Sequence, residues 1–324
     1  MQNESPLRIV FMGTPDFAVA SLDILVKHKF NIVGVVTAPD KPAGRGLEIH
    51  QSAVKKYAVE KGLTILQPEK LKSDEFISQL KALNADLQIV VAFRMLPEIV
   101  WRMPRLGTFN LHASLLPQYR GAAPINWAVI NGEAESGVTT FFLQHEIDTG
   151  KIIYRDTVTI DENETAGELH DKLMRTGASL VLKTVVAIQN KSYTETDQLQ
   201  FIRPGEVLRH APKIFKDDCR INWSESITQI HNTVRGLSPY PGAFTELVSP
   251  QGKVFTVKIF KTTKELNPSI AASADVSTDS STYLKVSARG GYVCIHELQL
   301  AGKKRMTTAE FLRGFPVNDQ WKVQ

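Results

Sequence analysis

Two polar side chains two residues apart, Asn110 and His112, are the first candidates for chemistry in this sequence of 324 residues. They lie in Phe109-Asn-Leu-His112, a strand-like segment, so both side chains are expected to point to the same face. An amide can donate to an oxygen that gains negative charge, and an imidazole can move a proton near neutral pH. The pair therefore indicates acid–base chemistry. The alternative is that both side chains only satisfy backbone groups in a tight connection.

A carboxylate that could join this pair is Asp148, in the segment His145-Glu-Ile-Asp-Thr-Gly150. The small residues that follow it allow a sharp turn and a close approach of backbone. Such a carboxylate could orient His112 or take a proton from an incoming amine, whereas a turn-capping aspartate is the structural alternative. The Asp-Thr-Gly triplet also occurs in aspartic proteases, but their chemistry requires two acids that share a proton, and this chain has one copy.

Several other kinds of site are absent from the sequence. There is no dinucleotide fingerprint and no phosphate-binding Gly-x-x-x-x-Gly-Lys-Ser/Thr loop, and no spacing of His, Cys or carboxylates supports a metal site. The two cysteines, Cys219 and Cys294, are too few for a disulfide framework. The N-terminus resembles neither a secretory signal nor a transit peptide. We therefore expect a cytosolic protein without a metal.

Short apolar runs separated by helical patterns must position the candidate residues. Strands are predicted at 7–12, 31–37, 63–66 and 87–92. Strands that are apolar throughout indicate a parallel sheet covered on both faces. We therefore predict a doubly wound, mostly parallel α/β domain, in which ligands bind beyond the C-terminal ends of the strands.

The sequence changes character after about Pro204. A helix is predicted over 224–237, and a capping box of Thr307 and Glu310 should begin a last short helix. Short strands are predicted at 254–261, 283–287 and 292–298, with a mobile loop over 267–282. Strands at this spacing predict a small β-barrel. We expect a first domain over 1–189, a linker over 190–208 and a second domain over 209–324.

The positive charge of the chain is concentrated in its last third. Residues 206–324 carry 16 Lys and Arg against 11 Asp and Glu, whereas residues 1–205 carry 22 against 23. A basic domain beside a neutral one suggests a polyanionic partner, and an uneven distribution by chance is the alternative.

Three motifs together carry a resemblance to the folate-dependent formyltransferases: Asn110-Leu-His112, Ser114-Leu-Leu-Pro-Gln-Tyr-Arg-Gly121 and Asp148-Thr-Gly150. Four further segments resemble the methionyl-tRNA formyltransferase family in particular: Val10–Phe17, Pro39–Gly46, Ser238–Phe244 and Gly302–Arg305. The resemblance covers nearly the whole chain. It implies a Rossmann-like catalytic domain and a C-terminal barrel of oligonucleotide-binding type that follows the tRNA backbone.

The same resemblance implies roles for individual residues. It assigns catalysis to Asn110, His112 and Asp148. It places the formyl donor, 10-formyltetrahydrofolate, against two segments and a turn, whose residues are Phe93, Arg94, Met95, Leu96, Ser114, Leu115, Leu116, Pro117 and Gln144. Compared with the family, the chain is expected to differ at two places. The segment around the bulky Arg94 is one residue shorter, and the residues just before Asp148 are larger or more polar.

The resemblance also implies an acceptor, the α-amino group of initiator methionyl-tRNA, and we expect a monomeric enzyme. Lys41 and Arg45, in the loop over 39–46, would meet the acceptor stem, and the cluster of Lys303, Lys304 and Arg305 would meet phosphates. A solvated turn is the alternative for that cluster.

Two other functions remain open at this point. A formyltransferase that acts on an amino sugar nucleotide would share the three catalytic residues and a similar extra domain. A protein of another class, an inactive RNA-binding protein, could keep the same fold. The loop over 39–46 and the basic C-terminal third favour tRNA, and the intact Asn110, His112 and Asp148 favour catalysis.

Overall fold

The structure is a computed structural model and describes residues 6–43, 48–270 and 273–324. The chain forms two compact units, each built from separate stretches of sequence. Residues up to Gly121 form the first unit together with Gly137–Val158 and His170–His210. The second consists of Ala122–Ser136, Thr159–Leu169 and Ala211–Gln324.

Strands and helices alternate through the first 189 residues. In chain order they are β1 (Arg8–Gly13), α1 (Asp16–Lys27), β2 (Asn31–Val36), β3 (Lys41–Ala43), β4 (Glu48–His50), α2 (Ala53–Glu60), β5 (Ile65–Leu66), α3 (Asp74–Ala82), β6 (Leu87–Val91), α4 (Glu98–Trp101), β7 (Thr108–His112), β8 (Arg120–Gly121), α5 (Pro124–Ile130), β9 (Glu135–Phe142), β10 (Ile152–Thr159) and α6 (Ala166–Gln189).

The main sheet, as far as the structure describes it, has the strand order β10-β9-β7-β6-β1-β2-β5. Strands β5, β2, β1, β6 and β7 run parallel, and β9 runs antiparallel to β7. Four successive residues of β1, from Ile9 to Met12, are fully buried. Since successive side chains of a strand point to opposite faces, both faces of this sheet are covered. The predicted doubly wound α/β fold is confirmed.

Strand β7, which carries the candidate residues, has a hydrogen-bonded neighbour on each side. Asn110 pairs with Val90 of β6 and with Phe141 of β9, and His112 lies opposite Thr139. A strand paired on both sides has a well-fixed backbone, so the backbone positions of Asn110 and His112 are set by the sheet.

The rest of the chain is mostly β-structure. Its elements are β11 (His210–Ala211), α7 (Ile227–Gly236), β12 (Ala243–Val248), β13 (Val254–Leu266), β14 (Val276–Thr278), β15 (Leu284–Ala288), β16 (Gly291–Leu300), β17 (Met306–Thr307), α8 (Thr308–Gly314) and β18 (Lys322–Val323), with two 3₁₀ turns at Gln198–Phe201 and Asp217–Cys219. The predicted capping box is confirmed, because the hydroxyl of Thr307 accepts from Glu310 N and the Glu310 carboxylate accepts from Thr307 N.

The strands of the second unit curve into a nearly closed barrel. Their order is β14-β15-β16-β13-β12-β18, with antiparallel pairing throughout. The two ends of this order meet at a bridge between Asp275 and Lys322. The barrel interior joins apolar residues of the strands to the buried side of α7 in one core. The predicted β-barrel is confirmed.

The prediction of a mobile loop over 267–282 is wrong for the middle of that range. Val276–Thr278 is a strand that pairs with β15, and the side chains of Val276 and Thr278 are buried. A three-residue strand among small polar residues leaves no periodicity in the sequence. Within the described ranges, no helix is long and apolar enough to cross a membrane.

Candidate active site

The imidazole of His112 is held by a backbone carbonyl. Its side chain is 7% exposed at the end of β7, and its Nε2 lies 2.9 Å from the carbonyl oxygen of Tyr119. A carbonyl oxygen only accepts, so Nε2 must carry a hydrogen and donate it. In the neutral ring Nδ1 is therefore the nitrogen left to accept a proton. Asn110, two residues earlier on the same strand, presents its amide to the same face.

Asp148 lies in a turn whose backbone conformation is unusual for a residue with a side chain. Its φ is 56°, in the left-handed region that aspartate tolerates better than most residues. One carboxylate oxygen accepts a hydrogen bond of 3.1 Å from the backbone N of Gly121. Gly150 has no room for a side chain, since a Cβ there would lie 1.7 Å from the carbonyl oxygen of Phe142. The turn thus requires the Gly that follows the aspartate.

The short segment from Tyr119 to Gly121 contacts both His112 and Asp148. The carbonyl of Tyr119 holds the imidazole, and the amide two residues later binds the carboxylate. Over the part of the chain that the structure describes, no hydrogen bond or ion pair joins His112 directly to Asp148. The structure therefore brings the two groups to one segment, and that segment holds each of them.

The predicted folate segment over 114–117 is largely buried. The hydroxyl of Ser114 donates to the carbonyl of Gln118 at 2.6 Å, and the hydroxyl of Thr139 donates to the carbonyl of Ser114 at 2.7 Å. Leu116 N donates to the same threonine hydroxyl at 3.1 Å, and Leu116 and Pro117 are buried. Leu115 is the one side chain of the four with an exposed part. This loop is tied firmly to β9.

The segment over 93–96 divides between core and surface. Leu96 packs into an apolar core, whereas Met95 is 76% exposed. Arg94 donates to the backbone carbonyls of Glu69, at 2.8 Å, and of Pro68, and its guanidinium lies 5.6 Å from the ring of Phe93. The bulky Arg94 is thus held by the segment at 68–69.

The turn before Asp148 rests against α4. Gln144 donates to the hydroxyl of Thr149 at 2.6 Å. His145 lies edge-on to Trp101, with ring centroids 5.8 Å apart, and its Nε2 is 3.4 Å from a carboxylate oxygen of Glu98. Two large apolar side chains of this region are exposed, Ile99 on α4 and Ile147 in the turn.

One buried residue beside Asp148 was not predicted from the sequence. Gln198 is 2% exposed, and its amide nitrogen donates to the carbonyls of Asp148 at 2.9 Å and Gly150 at 2.8 Å. Its amide oxygen accepts from the guanidinium of Arg120. It stands in the stretch expected to be a linker. A single glutamine in a polar stretch has no pattern that separates it from a solvated one, so the sequence held no signal for it.

The predicted tRNA-binding residues of the first unit lie at a β-hairpin. Lys41 is exposed at the start of β3, which pairs antiparallel with β4 so that Lys41 faces His50. Arg45, which the resemblance makes the main cation of this loop, lies outside the described residues.

The basic cluster of the second unit occupies the turn between β16 and β17. Lys303, Lys304 and Arg305 are all exposed. Arg305 binds the carboxylate of Glu297 through Nε at 2.7 Å and Nη2 at 2.6 Å, and it lies over the ring of Phe260. Its charge is therefore already paired within the protein.

Comparison with known proteins identifies both parts of the chain. Residues 7–185 match the family model described as formyl transferase, and residues 213–316 match that of the formyl transferase C-terminal domain. A methionyl-tRNA formyltransferase of Phocaeicola vulgatus is 58% identical over 319 residues, and one of Bacteroides thetaiotaomicron is 56% identical over 317. Each alignment covers 98% of this chain and 98% of the relative.

Solved structures share the fold at lower identity. WlaRD, a sugar 3N-formyl transferase crystallised with dTDP and 5-N-formyl-THF, is 23% identical with a TM-score of 0.64, covering 93% of this chain and 100% of its own. HypX from Aquifex aeolicus in complex with tetrahydrofolic acid is 17% identical with a TM-score of 0.63, covering 97% of this chain and 49% of its own. At such identities these structures show the fold alone. The full-length relatives and the two family models establish that the chain belongs to the methionyl-tRNA formyltransferase family.

Proposed function

We propose that the protein transfers the formyl group of 10-formyltetrahydrofolate to the α-amino group of initiator methionyl-tRNA. The observation that carries this proposal is the arrangement of His112 and Asp148 on the segment from Tyr119 to Gly121, with Asn110 on the same face of β7. The relatives named methionyl-tRNA formyltransferase, which match the chain from end to end, support the choice of donor and acceptor.

The surroundings of the site suit a flat, partly apolar ligand such as folate. Met95, Ile99 and Ile147 expose apolar surface in the segment before α4, on α4 itself and in the turn that rests against it. Apolar side chains with a few placed polar groups are usual in sites for small molecules. When bound, the folate supplies an amide-like acyl group that can be attacked by an amine.

Asn110 and His112 would act on the acyl oxygen, which gains negative charge during that attack. An amide N–H of Asn110 would donate to this oxygen. His112 keeps its Nε2 hydrogen on Tyr119, so a proton on Nδ1 is the one it can direct to the substrate. One well-placed donor of this kind contributes about 3 to 4 kcal/mol in other acyl-transfer enzymes.

Asp148 would receive the proton that the amine loses, directly or through a water. The bond between the formyl carbon and the folate nitrogen would then break, and that nitrogen would take up a proton and leave as tetrahydrofolate. The Gly121 amide fixes one oxygen of the carboxylate, which leaves the other oxygen for the substrate. The α-amino group has a pKa of about 7.7 to 8.0, so much of it is neutral near neutral pH and a weak base is sufficient. Positioning of the tRNA is then the larger part of the task.

The tRNA would be held by cations of both units. Lys41 and Arg45 would meet the acceptor end, and Lys303, Lys304 and Arg305 the phosphates. We propose a catalytic domain over 1–189, a linker over 190–208 and a tRNA-binding domain over 209–324. We also propose that the enzyme acts as a cytoplasmic monomer.

The direct test compares two acceptors. Purified protein with 10-formyltetrahydrofolate is offered methionyl initiator tRNA or a dTDP-linked amino sugar, and the formylated product is measured. We expect turnover with the tRNA and none with the sugar. Turnover with the amino sugar alone, or with neither acceptor, would overturn the proposal.

The site assignment is tested by single substitutions in the same assay. We expect His112→Ala, Asp148→Asn and Asn110→Ala each to lower kcat by at least about 100-fold, since each removes a group that acts on the reacting atoms. His28→Ala is a matched control, because this histidine is exposed at the end of α1 and belongs to neither proposed binding site. It should keep kcat within about twofold. Circular dichroism of all four variants would show whether they are folded.

A further inference from the structure

We propose that Gln198 is a positioning residue that holds the catalytic turn at Asp148 in its active conformation. This inference rests on the proposed function, because it assigns Gln198 a part in the same reaction. Gln198 touches no reacting atom; it would act through the backbone of the turn. The side-chain hydrogen-bond partners that the structure describes for it, Arg120, Asp148 and Gly150, all belong to the first unit.

The chemistry of its neighbours fixes the orientation of the Gln198 amide. Arginine only donates, so the amide oxygen must face Arg120, whose Nη2 and Nε approach it at 2.6 and 3.1 Å. Carbonyl oxygens only accept, so the amide nitrogen must face the carbonyls of Asp148 and Gly150, at 2.9 and 2.8 Å. Both donors and the acceptor of this buried side chain are thus used.

These contacts close a ring of hydrogen bonds around the catalytic carboxylate. Gly121 N binds the Asp148 side chain. Arg120, the residue before it, binds Gln198, which in turn binds the Asp148 backbone. The side chain and the main chain of Asp148 are therefore both tied to the same dipeptide, by two independent routes.

The conformation of the turn is one that such a tie would stabilise. Asp148 has a φ of 56°, a region that costs free energy for residues other than glycine, although aspartate tolerates it better than most. Without the Gln198 amide, two backbone carbonyls and one guanidinium would have no buried partner here. The turn could then relax, and the carboxylate would move relative to His112.

The variant that isolates this role is Gln198→Met, which keeps the length of the side chain and removes its hydrogen bonds. We expect kcat with methionyl-tRNA to fall by about 10-fold or more, while KM for the tRNA and for the folate changes by less than about threefold. Gln200→Met is the matched control, since Gln200 is exposed in the same 3₁₀ turn. It should leave kcat unchanged.

A double-mutant cycle separates positioning from general damage. If Gln198 acts through Asp148, then Gln198→Met should cost little more in a protein that already carries Asp148→Asn, measured by single-turnover formylation with enzyme in excess. An equal reduction in both backgrounds would overturn the inference, as would full activity of the single variant. Should Gln198→Met fail to fold, Gln198→Asn, which keeps the amide one methylene shorter, takes its place in the cycle. A wild-type enzyme that does not formylate methionyl-tRNA would instead refute the proposed function.

Discussion

The backbone amide of Gly121 donates a hydrogen bond of 3.1 Å to the carboxylate of Asp148, 27 residues further along the chain. Two residues before Gly121, the carbonyl of Tyr119 accepts from the imidazole of His112. The two titratable groups of the site are thus set by one short piece of backbone. A displacement of that piece, or of the turn that meets it, should therefore change catalysis before it changes the fold.

Gly150→Ala should disable the site by moving the turn at Asp148. A Cβ at this position would lie 1.7 Å from the carbonyl oxygen of Phe142, which belongs to a strand of the main sheet and cannot yield. The turn must move instead, at a cost of about 1 to 3 kcal/mol in stability. We expect kcat for formylation to fall by about 100-fold or more, with thermal unfolding as the second measurement.

The control for this prediction is Gly314→Ala. Gly314 is exposed at the end of α8, and a Cβ there would meet no atom within 4 Å. This variant should keep full activity and stability. If Gly150→Ala also kept full activity and stability, the close approach of backbone at the turn would have no bearing on catalysis.

The fold was predictable because burial leaves a periodic signal. The mostly apolar β1 and β6 indicated a sheet covered on both faces, and alternating residues indicated β13, β15 and β16. Strand β14 was missed because three residues are too few to show an alternation. Local pattern therefore predicted the apolar strands, including the short β5, and failed for β14, whose residues are mostly small and polar.

The sequence predicted which residues form the site, and it did not predict the hydrogen bonds that hold them. Asn110, His112 and Asp148 stand out as polar groups that end or follow apolar strands. That Tyr119 and Gly121 would hold two of them depends on backbone atoms, which no residue type specifies. Gln198, which contacts Asp148, lies in a stretch that the sequence predicts to be a linker. Arg305 belongs to the densest basic cluster, and its pairing with Glu297 was not predicted either.

The two lysines of the turn between β16 and β17 should contribute to tRNA affinity, and the neighbouring arginine should contribute less. Lys303 and Lys304 are exposed, whereas Arg305 is bound to Glu297. We expect Lys303→Ala with Lys304→Ala to weaken tRNA binding. The slope of log K against log salt concentration should become shallower by about 0.7 to 0.9 for each phosphate that the variant no longer neutralises. Filter binding at several salt concentrations measures both quantities.

Arg305→Ala provides the comparison. The guanidinium of Arg305 is already neutralised by the carboxylate of Glu297. Removing Arg305 should therefore change the slope of log K against log salt concentration by less than half as much as removing one lysine does. An equal or larger change would show that Arg305 leaves Glu297 to meet the tRNA.

Arg45→Ala should impair the use of tRNA and spare the folate site. This prediction comes from the sequence, since Arg45 lies outside the described residues and its loop is punctuated by Gly and Pro. We expect kcat/KM for methionyl-tRNA to fall by about 10-fold or more, since phosphate contacts dominate such affinities. Folate binding, measured by fluorescence titration, should not change. Unaltered tRNA kinetics would refute the role of this loop.

A buried histidine of the second unit should make the stability of the protein depend on pH. His231 on α7 is 2% exposed, and its Nδ1 lies 2.9 Å from the hydroxyl of Thr262. Burial lowers the pKa of this histidine to about 4, and the charges of Lys264 and Arg235 act in the same direction. In the unfolded chain the pKa of a histidine is about 6.5. As the pH falls from about 6.5 towards 4, the unfolded state therefore takes up the proton first and becomes more favourable.

We expect the free energy of unfolding to be lower at pH 4.5 than at pH 7.5, by about 2 to 3 kcal/mol from this histidine. Urea unfolding at the two pH values measures the total change, to which carboxylates also contribute. The share of His231 is the difference between wild type and His231→Gln, which cannot take up this proton. If His231→Gln retained the full wild-type dependence, the imidazole would take up its proton equally readily in the folded and the unfolded protein, and burial would not lower its pKa.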